Sequence, residues 1–296
     1  MGINLHAFNF INKISKEVEF KNTLTIGKQK ISADKYVVNK IVNDETIKSK
    51  YIDEYLIKHF KSSNVDVLDV NSYEDANIIH DLNEVIPKNL EQKYDTIIDG
   101  GSLEHVFDVK TSFNNLKKMC KVNGVIIHIS PTNNHCGHGF YQFSPNLFYS
   151  FYSEDEGFKD TQIFLCKEYD SNNWYKIKKE NYKNNKRIDI STDEETLILC
   201  YSIKTNLNNS KIIQQSDYSE DFYNRKKVGN ITNKIIFQKK SSLLKITLFK
   251  IAIIFPILKI FYNHIRKFKN YKLNKLNKLN KNLEIINVKG LNKIKD

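Results

Sequence analysis

Residues Tyr94–Pro131 read YDTIIDGGSLEHVFDVKTSFNNLKKMCKVNGVIIHISP. Tyr94–Ile98 is short, apolar and β-branched and stops at Asp99-Gly100-Gly101, which predicts a strand running into a loop. Val109, Phe113, Leu116 and Cys120 then recur at helical spacing and predict a helix over 109–120, with Asn123-Gly124 closing it. Val125–Ser130 is a second β-branched run. Strand, helix and strand in this order predict two parallel strands joined by a right-handed crossover. Ligands of open parallel sheets sit beyond the carboxyl ends of the strands. The first such end here carries Asp99, Gly100, Gly101, Glu104 and His105: two carboxylates, two glycines and an imidazole on one lip.

Toward the N-terminus, Asn22–Gly27 (NTLTIG) predicts a first strand, followed by helical segments at Ser32–Asn43 and Asp44–Phe60. Asp66–Val70 and Ala76–Ile79 predict the second and third strands, so Tyr94–Ile98 is the fourth and Val125–Ser130 the fifth. The alternation predicts an α/β, doubly wound, Rossmann-like sheet. Beyond Pro131, Pro145–Tyr152 predicts a short helix. Thr161–Glu168 and Thr196–Thr205 predict an antiparallel hairpin at the sheet edge, with residues 170–193 an exposed loop between them that carries the single tryptophan, Trp174, as a surface or interface residue.

A domain over 1–205, a linker over 206–240 and a basic, amphipathic helical tail over 241–296 follow from composition. The chain of 296 residues carries a formal net charge of +12, with the cationic excess toward its C-terminal part. Ser242–Tyr262 (SLLKITLFKIAIIFPILKIFY) is the most apolar window, but Lys245, Lys250, Lys259 and Pro256 argue against a membrane span. Residues 242–269 are expected to lie on an anionic membrane surface. No nucleic-acid module is recognisable, and none is expected as a partner. Cys120, Cys136, Cys166 and Cys200 are widely spaced, so no disulfide framework is expected. With no secretory signal pattern at Met1–Phe20, a cytoplasmic location, peripheral at the inner face of the membrane, is expected.

YDTIIDGGSLEHV with LKKMCKVNGVIIHISP resembles class I S-adenosylmethionine-dependent methyltransferases, over about residues 20–205. SYEDANIIHDLNEVIP with GHGFYQFSPNLF resembles methyltransferase-like proteins found with bacterial surface-polysaccharide genes. The resemblance implies S-adenosylmethionine as cofactor and a small-molecule or carbohydrate acceptor. It implies Gly27 at the cofactor's amino-acid end, one glycine where GxGxG is usual, with Lys28 and Gln29 beside it. It implies Asp69, or Glu74, on the ribose hydroxyls and Asp81 on the adenine amino group. Asp99, Gly100 and Gly101 would flank the methionine portion.

The residues leave other roles open for these groups. Asp69 and Asp81 are also turn formers, and a Glu at position 104 suits a helix start through the dipole alone. His105 is a candidate general base. After the fifth strand, His135, His138, Tyr141 and Gln142 form a candidate acceptor-binding loop with Phe143 and Phe148 as apolar walls. His135-Cys136-Gly137-His138 has the residue types of a zinc site at spacings that match no recognised ligand pattern, so no metal is expected. The alternative to an enzyme is a non-catalytic Rossmann-like module with a membrane-surface tail.

Overall fold

The computed structural model describes residues 2–178, 190, 192–207, 213 and 283–288. The chain enters through α1 (Leu5–Ser15), whose first turn is capped by the Asn4 side chain accepting from Ala7 N at 3.0 Å. This helix has no clear apolar stripe in the sequence because it is buried on most sides, His6, Asn9 and Asn12 included. Then follow β1 (Lys21–Ile26), α2 (Lys35–Val42), α3 (Asp53–Lys58), β2 (Ser62–Asp69), β3 (Ile78–Ile79), β4 (Tyr94–Asp99), α4 (Val109–Met119) and β5 (Cys120–Asn133). The second half contains α5 (Pro145–Phe151), β6 (Phe158–Lys167), β7 (Asn173–Ile177), β8 (Thr196–Lys204) and β9 (Leu283–Asn287).

These strands form one sheet in the order β3-β2-β1-β4-β5-β8-β6-β7-β9. The first five are parallel, and from β5 onward every pairing is antiparallel. The expected α/β doubly wound sheet is therefore present. Successive residues alternate between its faces, as strand geometry requires. Ile97 and Ile126 join Phe113, Leu116 and Phe148 on the face covered by α4 and α5. Ile98 and Ile127 join Phe8, Phe10, Val38, Tyr55 and Leu56 on the face covered by α1, α2 and α3.

Several expectations are corrected. The helices before β2 are shorter than expected. Asn43 takes a left-handed conformation, φ 53°, that ends α2, and Thr46 donates to Asp44 Oδ1 in the turn that follows. Asn123-Gly124 does not close α4, because Cys120 already pairs with Tyr94. The dipeptide is an irregularity inside β5, where a Cβ on Gly124 would press within 2.9 Å of Asp95 O. β6 and β8 do pair antiparallel, but β7 and β9 lie outside them, so the hairpin is internal. The exposed loop contains β7, and Trp174 is fully buried. Its Nε1 donates to His6 Nδ1 at 3.0 Å, and its ring meets Phe10 at 5.6 Å.

The chain divides into Met1–Asp217 with Asn282–Asp296, and Tyr218–Lys281; the second unit lies outside the described residues. So do most of the expected linker and tail, including 242–269. Within the tail, Leu283–Asn287 is strand rather than helix, paired with all of β7. Among the described residues no helix is long and apolar enough to cross a membrane. Cys120, Cys166 and Cys200 are buried and Cys136 is exposed, all four as free thiols.

Candidate active site at the carboxyl edge

The strand order reverses between β1 and β4, and there the loops that leave the two strands part. Gly27 follows β1 with φ +70° while its N–H still bonds Leu68 O at 2.7 Å. A Cβ at this position would stand 3.3 Å from Ser102 Oγ and 3.7 Å from Asp69 Oδ2, so the glycine keeps three loops close together. Asp69 ends β2, half-buried, with Oδ1 accepting from Val70 N at 2.6 Å. Asp81 sits in the exposed turn after β3, where its Oδ1 accepts from Asn83 N and Nδ2; the bonds from Asn83 hold its carboxyl below the usual range. Glu74 is exposed and accepts from Tyr51 OH at 3.4 Å.

Gln29 is buried against this crevice. Its Nε2 donates to Ile26 O, while its Oε1 has no hydrogen-bond partner. A Cβ on Gly100 would collide with that amide. The sequence marks Gln29 only as bulk beside Gly27. Its position as an orphaned acceptor between the first and fourth loops depends on the fold.

Asp99 does not face the lip. Its carboxylate is fully buried, with Oδ1 accepting from Ser102 N at 2.9 Å and Leu103 N at 3.3 Å. Its Oδ2 lies 2.8 Å from His128 Nδ1, and His128 Nε2 lies 2.6 Å from Tyr152 OH. Burial pushes the Tyr152 phenol well above its ordinary value, so it stays protonated and donates to Nε2, leaving Nδ1–H to donate to Asp99. Asp99 therefore shapes the Gly100-Gly101 loop from beneath. Phe143 and Phe148 are corrected as well: both pack on Phe113 in the core, at 5.7 and 5.8 Å, rather than lining a ligand wall.

Leu103–His105 is one 3-10 turn, so Glu104 stands outside α4, which opens at Val109 under an Asp108 cap. The helix-dipole reading of Glu104 fails for that reason. Its side chain is fully buried, and neither carboxylate oxygen has a hydrogen-bond partner. Burial, and then the charge of Asp99, push its carboxyl up to about 8. The loop after β5 closes over it, with Phe140 N donating to Glu104 O at 2.7 Å and Tyr141 N at 3.3 Å. Gly139, φ +70°, passes so near that a Cβ would stand 2.8 Å from Glu104 O.

The same closure brings His138 Nε2 to 3.4 Å from Glu104 Oε1 and its ring to 4.9 Å from that of His105. Burial holds both imidazoles below their ordinary range. His135 lies 6.1 Å from His138, ring to ring, with its Nε2 buried and unpartnered. Gln142 and Tyr141 hold the loop in place, Gln142 Oε1 accepting from His135 N at 2.9 Å and Tyr141 OH donating to Phe107 O at 2.6 Å. Beside the loop, a cleft of about 200 Å³ is lined by Thr132, Asn133, Gln142, Ser144, Thr192 and Thr196, among others. A larger cleft of about 470 Å³, near Lys159, Asp160 and Lys176, opens at the amino end of β6, on the opposite edge of the sheet.

No family model and no curated protein matches the chain. Solved structures similar to it include methyltransferases. The N-methyltransferase NodS from Bradyrhizobium japonicum WM9, in complex with S-adenosyl-L-homocysteine, is 14% identical with a TM-score of 0.40, over 67% of this chain and 84% of that one. The 1,6-didemethyltoxoflavin-N1-methyltransferase of Burkholderia thailandensis, with 1,6-didemethyltoxoflavin and S-adenosylhomocysteine bound, is 11% identical with a TM-score of 0.40, over 68% and 78%. At such identities and TM-scores the functional reading rests on the geometry of the site.

Proposed function

We propose that this chain methylates a small hydroxylated acceptor, a sugar intermediate of cell-surface polysaccharide synthesis, with S-adenosylmethionine as donor. The observation that carries the reading is the crevice at the switch point, where Gly27, Asp69, Gln29 and the Gly100-Gly101 loop meet. Its groups suit the cofactor's parts. The Asp69 carboxylate can accept from two ribose hydroxyls. The orphaned Gln29 Oε1 is an acceptor waiting for a donor, and the ammonium of a methionine portion supplies one. Asp81, beside β2 on the turn after β3, can accept from an adenine amino group.

When bound, the cofactor supplies a methyl group on a sulfonium, and the C–S electron pair leaves with the thioether as a C–O bond forms. The protein's contribution is to align acceptor and methyl and to take the hydroxyl proton. His105 and His138 stand on the lip to receive it. The polar cleft beside the 135–141 loop gives a hydroxyl-rich molecule donors and acceptors along its length.

Titration calorimetry with S-adenosylhomocysteine tests this reading. The intact chain should give saturable heat, and Asp69→Ala should weaken binding by about tenfold or more, the size of a hydrogen bond to a charged group. No heat at millimolar ligand removes the reading. Gln29→Ala separates it from the non-catalytic alternative, which is favoured by the bulk of Gln29 in the crevice. Weaker binding assigns Gln29 to the ligand, and tighter binding marks it as an obstruction.

The basic, apolar segment 242–269 supports a membrane-surface location by its sequence pattern. Removing 242–269 while keeping 283–288 should abolish co-sedimentation with anionic liposomes. Unchanged partitioning refutes the surface reading.

A further inference from the structure

We propose that Glu104, His105 and His138 bind a divalent first-row transition ion with coordination positions open to the acceptor. One ligand atom from each lies within 4.8 Å of the others. The Glu104–His138 separation of 3.4 Å is already that of two ligands on a tetrahedral ion with bonds of about 2.0–2.1 Å. A fully buried carboxyl group with neither oxygen hydrogen-bonded is costly to leave so; a cation bound between it and the two imidazoles satisfies it. Two imidazoles and one carboxylate are a ligand set that retains open sites for water or substrate.

The cluster also has the supports of a built site. The loop backbone is clamped to Glu104 O by two N–H donors, and the close approach at Gly139 leaves no room for a side chain. His135, with an unpartnered Nε2 6.1 Å from His138 by ring centres, stands next to the cluster as a further donor. These groups come from two loops, after β4 and after β5, which is why no spacing within 135–138 reveals them. An ion here would hold an acceptor oxygen against the lip and ease loss of its proton, with His105 and His138 then acting as its ligands in place of bases. That use in catalysis rests on the methyl-transfer reading, whereas the binding itself does not.

The test is a Co2+ titration of the full chain after chelation and dialysis, followed by visible absorption and by metal analysis. One equivalent should bind with the intense visible bands of a low-coordinate nitrogen and oxygen site. Glu104→Gln and His138→Ala should each weaken it by about a hundredfold or more, since even outer-shell changes cost about ten- to a hundredfold. His59→Ala, at an unrelated imidazole, should leave it unchanged. Circular dichroism identifies a variant that fails to fold, in which case His105→Asn is read instead. No stoichiometric binding, or full binding in folded Glu104→Gln and His138→Ala, overturns the proposal. Loss of binding on Cys136→Ser, with thiolate charge-transfer bands, assigns the ion to the exposed thiol and overturns it too. Because no cofactor is present, failure of the S-adenosylhomocysteine titration and failure of this one are separate results.

Discussion

Asp99→Ala is expected to lower the unfolding free energy by about 3–5 kcal/mol, the cost of removing one partner from a buried, charge-assisted network. The variant strands the part-buried N–H of Ser102 and the buried N–H of Leu103, together with the Nδ1–H of His128. Each lost acceptor costs about 1–3 kcal/mol where water cannot replace it. Urea denaturation monitored by circular dichroism measures the loss. Asp99→Asn, which keeps one oxygen on the backbone donors, should fall between the two. The same variant should lose affinity for S-adenosylhomocysteine out of proportion to its stability, because the Gly100-Gly101 loop is shaped from below by this carboxylate. A change in stability under about 1 kcal/mol would mean that the network is not what fixes the loop.

Trp174→Ala carries the second large effect, about 3–5 kcal/mol, from the cavity left where a fully buried indole was removed. The indole is the meeting point of elements far apart in sequence: Phe10 on α1 at 5.6 Å, Phe164 on β6 at 5.9 Å, and the His6 ring that accepts from its N–H. Trp174→Phe should cost less, about 1–2 kcal/mol, losing chiefly that hydrogen bond. As the chain's single tryptophan, Trp174 also reports on itself. Its emission should be blue-shifted in the native chain and shift to the red as α1 separates from the sheet. Red emission from the folded protein would contradict the buried position.

The parallel half of the sheet was legible because each of its strands is a short β-branched run bounded by turn residues, and because the 94–131 unit shows both periods clearly. The antiparallel half was legible only in β6 and β8. β7 (Asn173–Ile177) reads as polar loop because its flanks are lysine- and asparagine-rich, and its role follows from a partner, β9, far along the chain. α1 was hidden by burial on most of its sides. At the site, the positions of Gly27, Asp69 and the Gly100-Gly101 loop followed from strand ends, which sequence periodicity locates. The inward turn of Asp99 depends on His128 and Tyr152, and the isolation of the Glu104 carboxylate depends on a loop about thirty residues later. Those are tertiary facts with no local sequence signature.

The pairing of Leu283–Asn287 with β7 changes what the C-terminal region is. The chain leaves the sheet at the end of β8 and returns to it at Leu283, as the outermost of the described strands. A version truncated after residue 207 would strip Asn173–Ile177 of its outer partner, leaving β6 on its inner side, and expose a longer row of backbone donors and acceptors on β7, a template for self-association. Excising the middle and joining its ends with a short linker keeps that edge closed. For this protein, the unit to express is defined by the pairing of β7 with β9, not by where the conspicuous sequence composition changes.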